Sequence, residues 1–200
     1  MAVKSRQAEN AAATRSALIK VARKLFAEHG YAETGTEEVV RRARVTRGAL
    51  YHHFKDKQDL FKAVLLAEEE RLAGVVGERA SRETHPWRAL MAGTEAFLDA
   101  CLDPAVQRIV LIEGPAVLGW QAYRKIDNDY FLAGTIASIE AAMAAGEIPR
   151  QPVEPLAHIM MGAVHEASTL IAHASDRAKT RREVSEVIDR LMNGLRAGTR

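Results

Sequence analysis

Apolar residues recur every three or four positions through most of the chain. Leu18, Val21, Ala22, Leu25 and Phe26 share one helical face, and Gly30 is placed to end that helix in a left-handed conformation. A short second helix is expected from Thr36, whose hydroxyl can accept an orphan backbone N–H, with Glu37 and Glu38 at the positive end of the dipole. It runs out near Ala43. Thr46 is placed to cap a third helix over 47–53, and Asp56 a fourth from Lys57 into the eighties. Pro86 and Pro104 suit first helical turns after His85 and Asp103, and Gly114-Pro115 ends the second of these helices. Trp120 to Ala145 reads as one long helix closed by Gly146, and Pro155 opens the next. That helix carries Leu156, Ile159, Met160, Ala163, Leu170 and Ile171. The last, over 182–197, carries Val184, Val187, Ile188, Leu191, Met192 and Leu195, so both are amphipathic. No alternating run of β-branched residues bounded by turns competes with this pattern, so the expected fold class is all-α with about nine helices.

Composition narrows the class further. Hydrophobic residues at 48% and charged ones at 27% describe a globular protein, and 200 residues suffice for one or two cores. Cys101 stands alone, so no disulfide and no cysteine-rich metal site is expected, and a small buried hydrophobe is its natural role. His158 and His165 are seven apart, about 10 Å along one helix, too far to share a metal. No nucleophile stands beside a base, no carboxylates are closely paired and no glycine loop is shaped for phosphate, so neither an enzyme nor a cofactor is expected. Neither the stretch "MAVKSRQAEN" nor any later run has the apolar length of a signal or membrane segment, which points to a cytoplasmic protein with no membrane partner.

Net charge is only +2, but residues 1–62 hold 13 Lys+Arg against 7 Asp+Glu, while 63–200 hold 15 against 19. A basic N-terminal third suits a polyanion that the acidic remainder would repel. Within that third, 36–54 reads as helix, tight turn, helix. Leu50 and Phe54 face inward with Val39 and Val40, which leaves Arg47, Gly48, Ala49, Tyr51, His52 and His53 outward. A helix-turn-helix sets such a surface in the DNA major groove with its N-terminal residues at the base edges, where Arg47 can pair with both guanine acceptors. Thr36, Tyr51 and Lys57 offer phosphate contacts on the same side. Between 41 and 57 six residues are basic against Asp56 alone. A solvated basic helix pair is the plainer alternative.

The span "TRSALIKVARKLFAEHGYAETGTEEVVRRARVTRGALYHHFKDKQDLFKAV", residues 14–64, resembles the DNA-binding domain of the TetR family of bacterial transcriptional regulators, most specifically in "LFAEHGYAET" and "VTRGALYHHFKDKQDLF". The resemblance implies an all-α homodimer. Three N-terminal helices would enter an operator's major groove, the remaining helices would enclose a small-molecule pocket, and the last two would build a four-helix bundle with a second subunit. Effector entry would then release the DNA. Carried over by position, base contacts fall on Arg47, Gly48, Ala49 and His52, and phosphate contacts on Thr36, Thr46, Tyr51, His53 and Lys57. Two departures stand out. Arg44 occupies a turn position where the family usually has glycine, so it either strains the turn or touches phosphate. Glu37 stands where some members reach DNA, and it reads better as a helix-dipole partner.

The expected division is a DNA-binding domain over 12–72, with its helix-turn-helix at 35–54, and a ligand-binding and dimerisation domain over 73–200. The segments "VQRIVLIEGPAVLGWQAYRKID" and "PVEPLAHIMMGAVHEASTLIA" resemble one C-terminal subtype of the same family. Phe97, Cys101, Ile112, Trp120, Tyr123, Met161 and His165 are the expected lining of a mostly apolar pocket with a few polar groups, although the same residues suit a plain core. The helices near 155–175 and 182–197 are the expected dimer seam. These features together predict a repressor whose partners are a palindromic double-stranded operator, a second copy of the chain and a small apolar or amphipathic effector. An activator or a regulator controlled by a protein partner would use the same residues. An architectural DNA-binding protein or a helical enzyme tethered to DNA would be the alternatives from other classes.

Overall fold

The computed structural model describes residues 2–196, with side chains from residue 9 onward; positions 197–200, the end of the expected second domain and of its last helix, lie outside the described residues. Nine helical elements follow one another, and there is no strand among the described residues. The first four are α1 (Ala2–Glu33), α2 (Thr36–Ala43), α3 (Arg47–His53) and α4 (Lys57–Ala80). After α5 (Pro86–Ala100), the composite α6 joins Pro104–Val106, a π-helical Gln107–Glu113 and Gly114–Leu118. Then come α7 (Trp120–Ala144), α8 (Val153–His173) and α9 (Arg177–Asn193).

Local chemistry sets most of the boundaries. The Thr46 hydroxyl accepts from Ala49 N at 3.1 Å, Asp56 from Asp59 N at 2.8 Å, Asp103 from Ala105 N at 2.8 Å and Asp176 from Lys179 N at 2.9 Å, each satisfying an orphan donor. Thr36 behaves differently from its expected role: Gly35 is the cap of α2 and Thr36 its first helical residue, with no side-chain cap bond. Gly30 ends the long helical segment of α1 as expected, but not in the left-handed helical conformation. Its φ of 85° is positive but its ψ of 169° is extended, and a last turn follows to Glu33.

The pair Gly114-Pro115 does not stop α6. Proline is tolerated in the first turn of the segment that resumes after the π turn, and the stop comes at Gly119, with φ 81°. Helix α8 starts at Val153, ahead of Pro155, and α9 starts at Arg177, five residues before the expected 182, because Asp176 supplies a cap that the apolar pattern does not register.

The core is continuous. Leu18, Leu25 and Phe26 of α1 meet Leu50, Phe54 and Phe61, with Phe61 edge-on to both Phe26 and Tyr31 at 5.3 Å. Along α4 the buried positions Leu60, Val64, Leu65 and Leu72 carry this cluster into a second layer built from α5 to α9, where Leu98, Ile109, Ile139, Ala157 and Ile171 are fully buried. Arg181 ties α9 to α5 through Glu95 (2.6 Å) and Asp99 (2.7 Å). Helix α4 therefore belongs to both layers.

Candidate DNA interface and effector cavity

The turn between α2 and α3 is built by backbone. Arg44 takes the left-handed conformation (φ 57°, ψ 40°) that the position demands, its N–H donating to Arg41 O at 3.3 Å, and Val45 N donates to Val40 O at 3.1 Å. A Cβ in that region costs about 1–2 kcal/mol, so the arginine is held there at the expense of stability. Leu50 is fully buried and anchors α3. Arg47, Gly48, Tyr51 and His52 are exposed along its outer side, with Thr46 exposed at its cap and Ala49 and His53 half-buried at its flanks.

The charges on this surface are not all free. Arg47 Nη1 donates to Glu37 Oε1 at 2.9 Å, and its guanidinium carbon lies 5.6 Å from the centroid of the Tyr51 ring. Glu38 takes hydrogen bonds from both Arg41 (2.6 Å) and Arg42 (2.5 Å), which hold its carboxyl below its ordinary range. The count of basic residues between 41 and 57 missed these pairs because both carboxylates lie just before that window. Lys57 is also engaged: Nζ donates to Ala32 O at 3.1 Å and sits 4.4 Å over the Tyr31 ring, closing the last turn of α1. Exposed pairs such as Arg47 with Glu37 are worth about 0–1 kcal/mol, little enough for a phosphate or a base edge to displace the carboxylate. Thr36 is half-buried at the start of α2, on the side where that helix presents its N-terminal N–H groups.

Beyond α4 the structure encloses a cavity of about 250 Å³ between α4, α5, α7 and α8, with Met192 of α9 at its edge. Its α4 wall is Ala73, Val76, Gly77 and Ala80, spaced as one helical face. Val75 is on the other side of α4 and exposed. Of the seven expected lining residues, Phe97, Met161 and His165 line the cavity and four do not. Cys101 is buried beyond it, its thiol pushed up to about 12 mainly by burial. Tyr123 is buried with its ring against His165 at 5.9 Å, while Ile112 and Trp120 are largely exposed, Trp120 stacking on the outer side of His165 at 5.3 Å. Trp120 and Tyr123 share the helical face of Asp127 but lie one to two turns before it, Cys101 lies one turn beyond Phe97, and Ile112 belongs to α6, which contributes nothing to the lining.

The sequence reading also missed Asp127, which lines the cavity and whose Oδ2 accepts from Arg124 Nη1 at 2.9 Å. Glu69, one turn before Ala73 on the same face of α4, is 1% exposed and has no partner for either carboxylate oxygen. Burial, then the neighbouring Asp127 and Glu68, pushes its carboxyl up to about 8. Burial would also raise Glu68, but hydrogen bonds from Arg23 and Arg71 bring it below the ordinary range. The overlooked signal was a charged residue in phase with apolar neighbours: Glu69 among Leu65, Leu66 and Leu72, and Asp127 among Ile126, Tyr130 and Phe131.

A polar clasp joins the two layers. In α6, Arg108 Nη1 donates to the carbonyls of Ala27 (3.1 Å) and Glu28 (2.8 Å), and Glu113 Oε1 accepts from Tyr31 N at 2.8 Å. Gln58 Nε2 donates to Val117 O at 2.7 Å. Residues five apart diverge by about 140° on an α-helix, whereas i→i+5 bonding brings them nearly above one another. The π turn thus puts Arg108 and Glu113 on the same side, one on each flank of the Gly30 bend. A Cβ on Gly30 would lie 2.7 Å from Glu113 Oε1, so only glycine admits this approach.

Comparison with known proteins places both halves. Residues 18–64 match the model of "Bacterial regulatory proteins, tetR family", and residues 87–195 match "Tetracyclin repressor-like, C-terminal domain". The chain is 28% identical over 159 residues to the Transposon Tn10 TetC protein of Escherichia coli, covering 80% of each. It is 35% identical over 85 residues to the HTH-type transcriptional repressor AcnR of Corynebacterium diphtheriae, 38% of this chain and 45% of that protein. Among solved structures, a TetR-family transcriptional regulator from Pectobacterium atrosepticum superposes with a TM-score of 0.85 at 28% identity, covering 96% of this chain and 98% of that one.

Proposed function

The chain belongs to the TetR family of bacterial transcriptional regulators, with a helix-turn-helix DNA-binding domain, and from that premise we propose that it is a homodimeric repressor released from a palindromic operator by a small effector. The observation that carries this reading is the double membership of α4: its Lys57 end packs against α1 of the DNA-binding domain and its Ala73–Ala80 face walls the cavity. In this reading the DNA-binding unit, 12–72, gives way to the effector and dimer unit, from 73, inside a single rigid rod. An effector that prefers one tilt of α4 shifts the population toward it, and DNA disfavours that effector by the same factor. The clasp of Arg108 and Glu113 on α1 carries the same displacement to the other flank of the helix-turn-helix.

Arg47 and His52 read bases, with Gly48 and Ala49 allowing close approach, while Thr36, Thr46, Tyr51, His53 and Lys57 hold phosphates. Arg44, extended from its left-handed turn and without a carboxylate partner among the described residues, joins them. The dimer forms through α8 and α9, where Ile159 (69% exposed), Leu170, Val187 and Leu191 present apolar side chains that nothing in one chain covers.

Selection of genomic fragments by the protein, followed by anisotropy on the enriched site with and without metabolite extract, tests the reading. An enriched palindrome that extract releases supports it; sequence-independent binding with a steep salt slope refutes it. On the same operator, Arg108→Ala is expected to leave affinity within about threefold and to cut the extract response by most of its 5–150-fold range.

A further inference from the structure

The cavity is apolar over most of its wall; its polar groups are the hydroxyls of Thr94, Tyr130, Thr135 and Ser138, the imidazole of His165 and one carboxylate. No lysine or arginine lines it among the described residues; Asp127 does, and only Oδ2 of that carboxylate is hydrogen-bonded. One helical turn from the α4 wall, Glu69 is buried with both oxygens unpartnered. Phe97 and Phe131 meet edge to face at 5.6 Å on the lining, with Tyr130 beside them, so ring faces and the Asp127 carboxylate bound the same space. Ring faces attract cations and buried carboxylates need them, whereas an anionic ligand would meet the Asp127 carboxylate with no lysine or arginine on the wall to receive it. We propose that the effector is a hydrophobic organic cation, a quaternary ammonium or a protonated amine with an apolar body, seated on the aromatic rings with its charge toward Asp127 and Glu69. The inference rests on the reading of this cavity as the effector site.

A consequence follows for protons. The groups facing Glu69 are Glu68 beside it on α4, Asp127 with its partner Arg124, Tyr123 and Tyr130 on α7, and Cys101 at the end of α5. His165 on α8 stands next to Asp127, and burial keeps it below its ordinary value, so it brings no positive charge at neutral pH. With a carboxyl pushed up to about 8, Glu69 is protonated in the empty protein at pH 7, and an arriving cation favours its ionised form. Binding is then coupled to loss of that proton, and affinity for a cation of fixed charge rises with pH until about pH 8 and levels off above it.

The probes are phenyltrimethylammonium, its uncharged carbon isostere tert-butylbenzene, and the anion 4-tert-butylbenzoate, titrated calorimetrically into the full chain in two buffers of different ionisation heat. The cation is expected to bind at least tenfold more tightly than the isostere. It should release about one proton per molecule at pH 7 and little at pH 9, with Kd falling about tenfold between pH 6 and 7. Glu69→Gln should abolish the proton release and weaken the cation about tenfold while leaving the isostere unchanged, and Asp127→Asn should weaken the cation alone. Equal or tighter binding of the isostere or the anion overturns the cation assignment and leaves the cavity as an effector site. Binding of none of the three overturns the cation assignment together with the reading of the cavity as a site for small ligands.

Discussion

Carboxylates sit beside the candidate contact residues in both halves of the molecule, but under opposite conditions. On the α2–α3 surface, Glu37 and Glu38 lie in water and hold Arg47, Arg41 and Arg42 in pairs that solvent screens. Under α5 and α7, Asp127 and Glu69 lie out of water, one paired and the other with no partner at all. The outer pairs open cheaply, so the DNA-facing side chains are parked rather than locked. The inner carboxyl holds its proton because nothing stabilises its charge, so that half responds to whatever brings charge in. One half is suited to rapid exchange of partners and the other to a change of state.

The largest expected effect comes from making the inner half behave like the outer. Glu69 has its carboxyl raised in the folded chain, so its contribution is fully present below the unfolded value near 4.5 and is lost as pH rises through about 8. Glu69→Gln removes that loss. The variant should exceed the wild type by roughly 2–5 kcal/mol at pH 9 and match it near pH 4, read as urea midpoints across pH. A constant difference between the two proteins would mean that Glu69 is not held protonated. On the outer side, Arg47→Ala should cost about 1–3 kcal/mol of operator affinity and relax preference at one base pair per half-site. Lys57→Ala should weaken all sequences alike and reduce the salt slope by about one, and normal operator binding by both variants would dismiss the recognition assignment. The smallest effect is Arg44→Gly. Release of the left-handed strain, set against the extra freedom of glycine when unfolded, leaves a net gain of about 0.5–1 kcal/mol in thermal unfolding, while operator affinity falls.

These two halves also differ in how far they can be read without coordinates. The α2–α3 region is specified by neighbours in sequence: Thr46 caps α3, Leu50 and Phe54 set its inner face, and the outward residues follow from helical phase. The cavity depends on how four helices pack and how far along each the wall extends: Trp120 lies two turns before Asp127 on the same face and falls outside it, and Ile112 belongs to α6, which lines none of it. The π turn escaped notice because a search for a 3.6-residue period does not distinguish Gln107–Glu113 from an ordinary helix. Glu37 and Glu38 were legible as dipole partners of α2 but not as partners of Arg47, Arg41 and Arg42. Arg47 lies ten residues from Glu37, and a turn has to bring them together.

That π turn also makes the link between the halves a matter of chain length. A π turn accommodates one residue more than the α turn it replaces. Deleting a single residue between Arg108 and Glu113 lets the helix return to ordinary pitch with the two groups four apart and still on one face, whereas five residues held at α pitch would set them about 140° apart. The surface for DNA and the cavity would both survive such a deletion. In genetic terms, the π turn absorbs one extra codon without parting the two grips on α1.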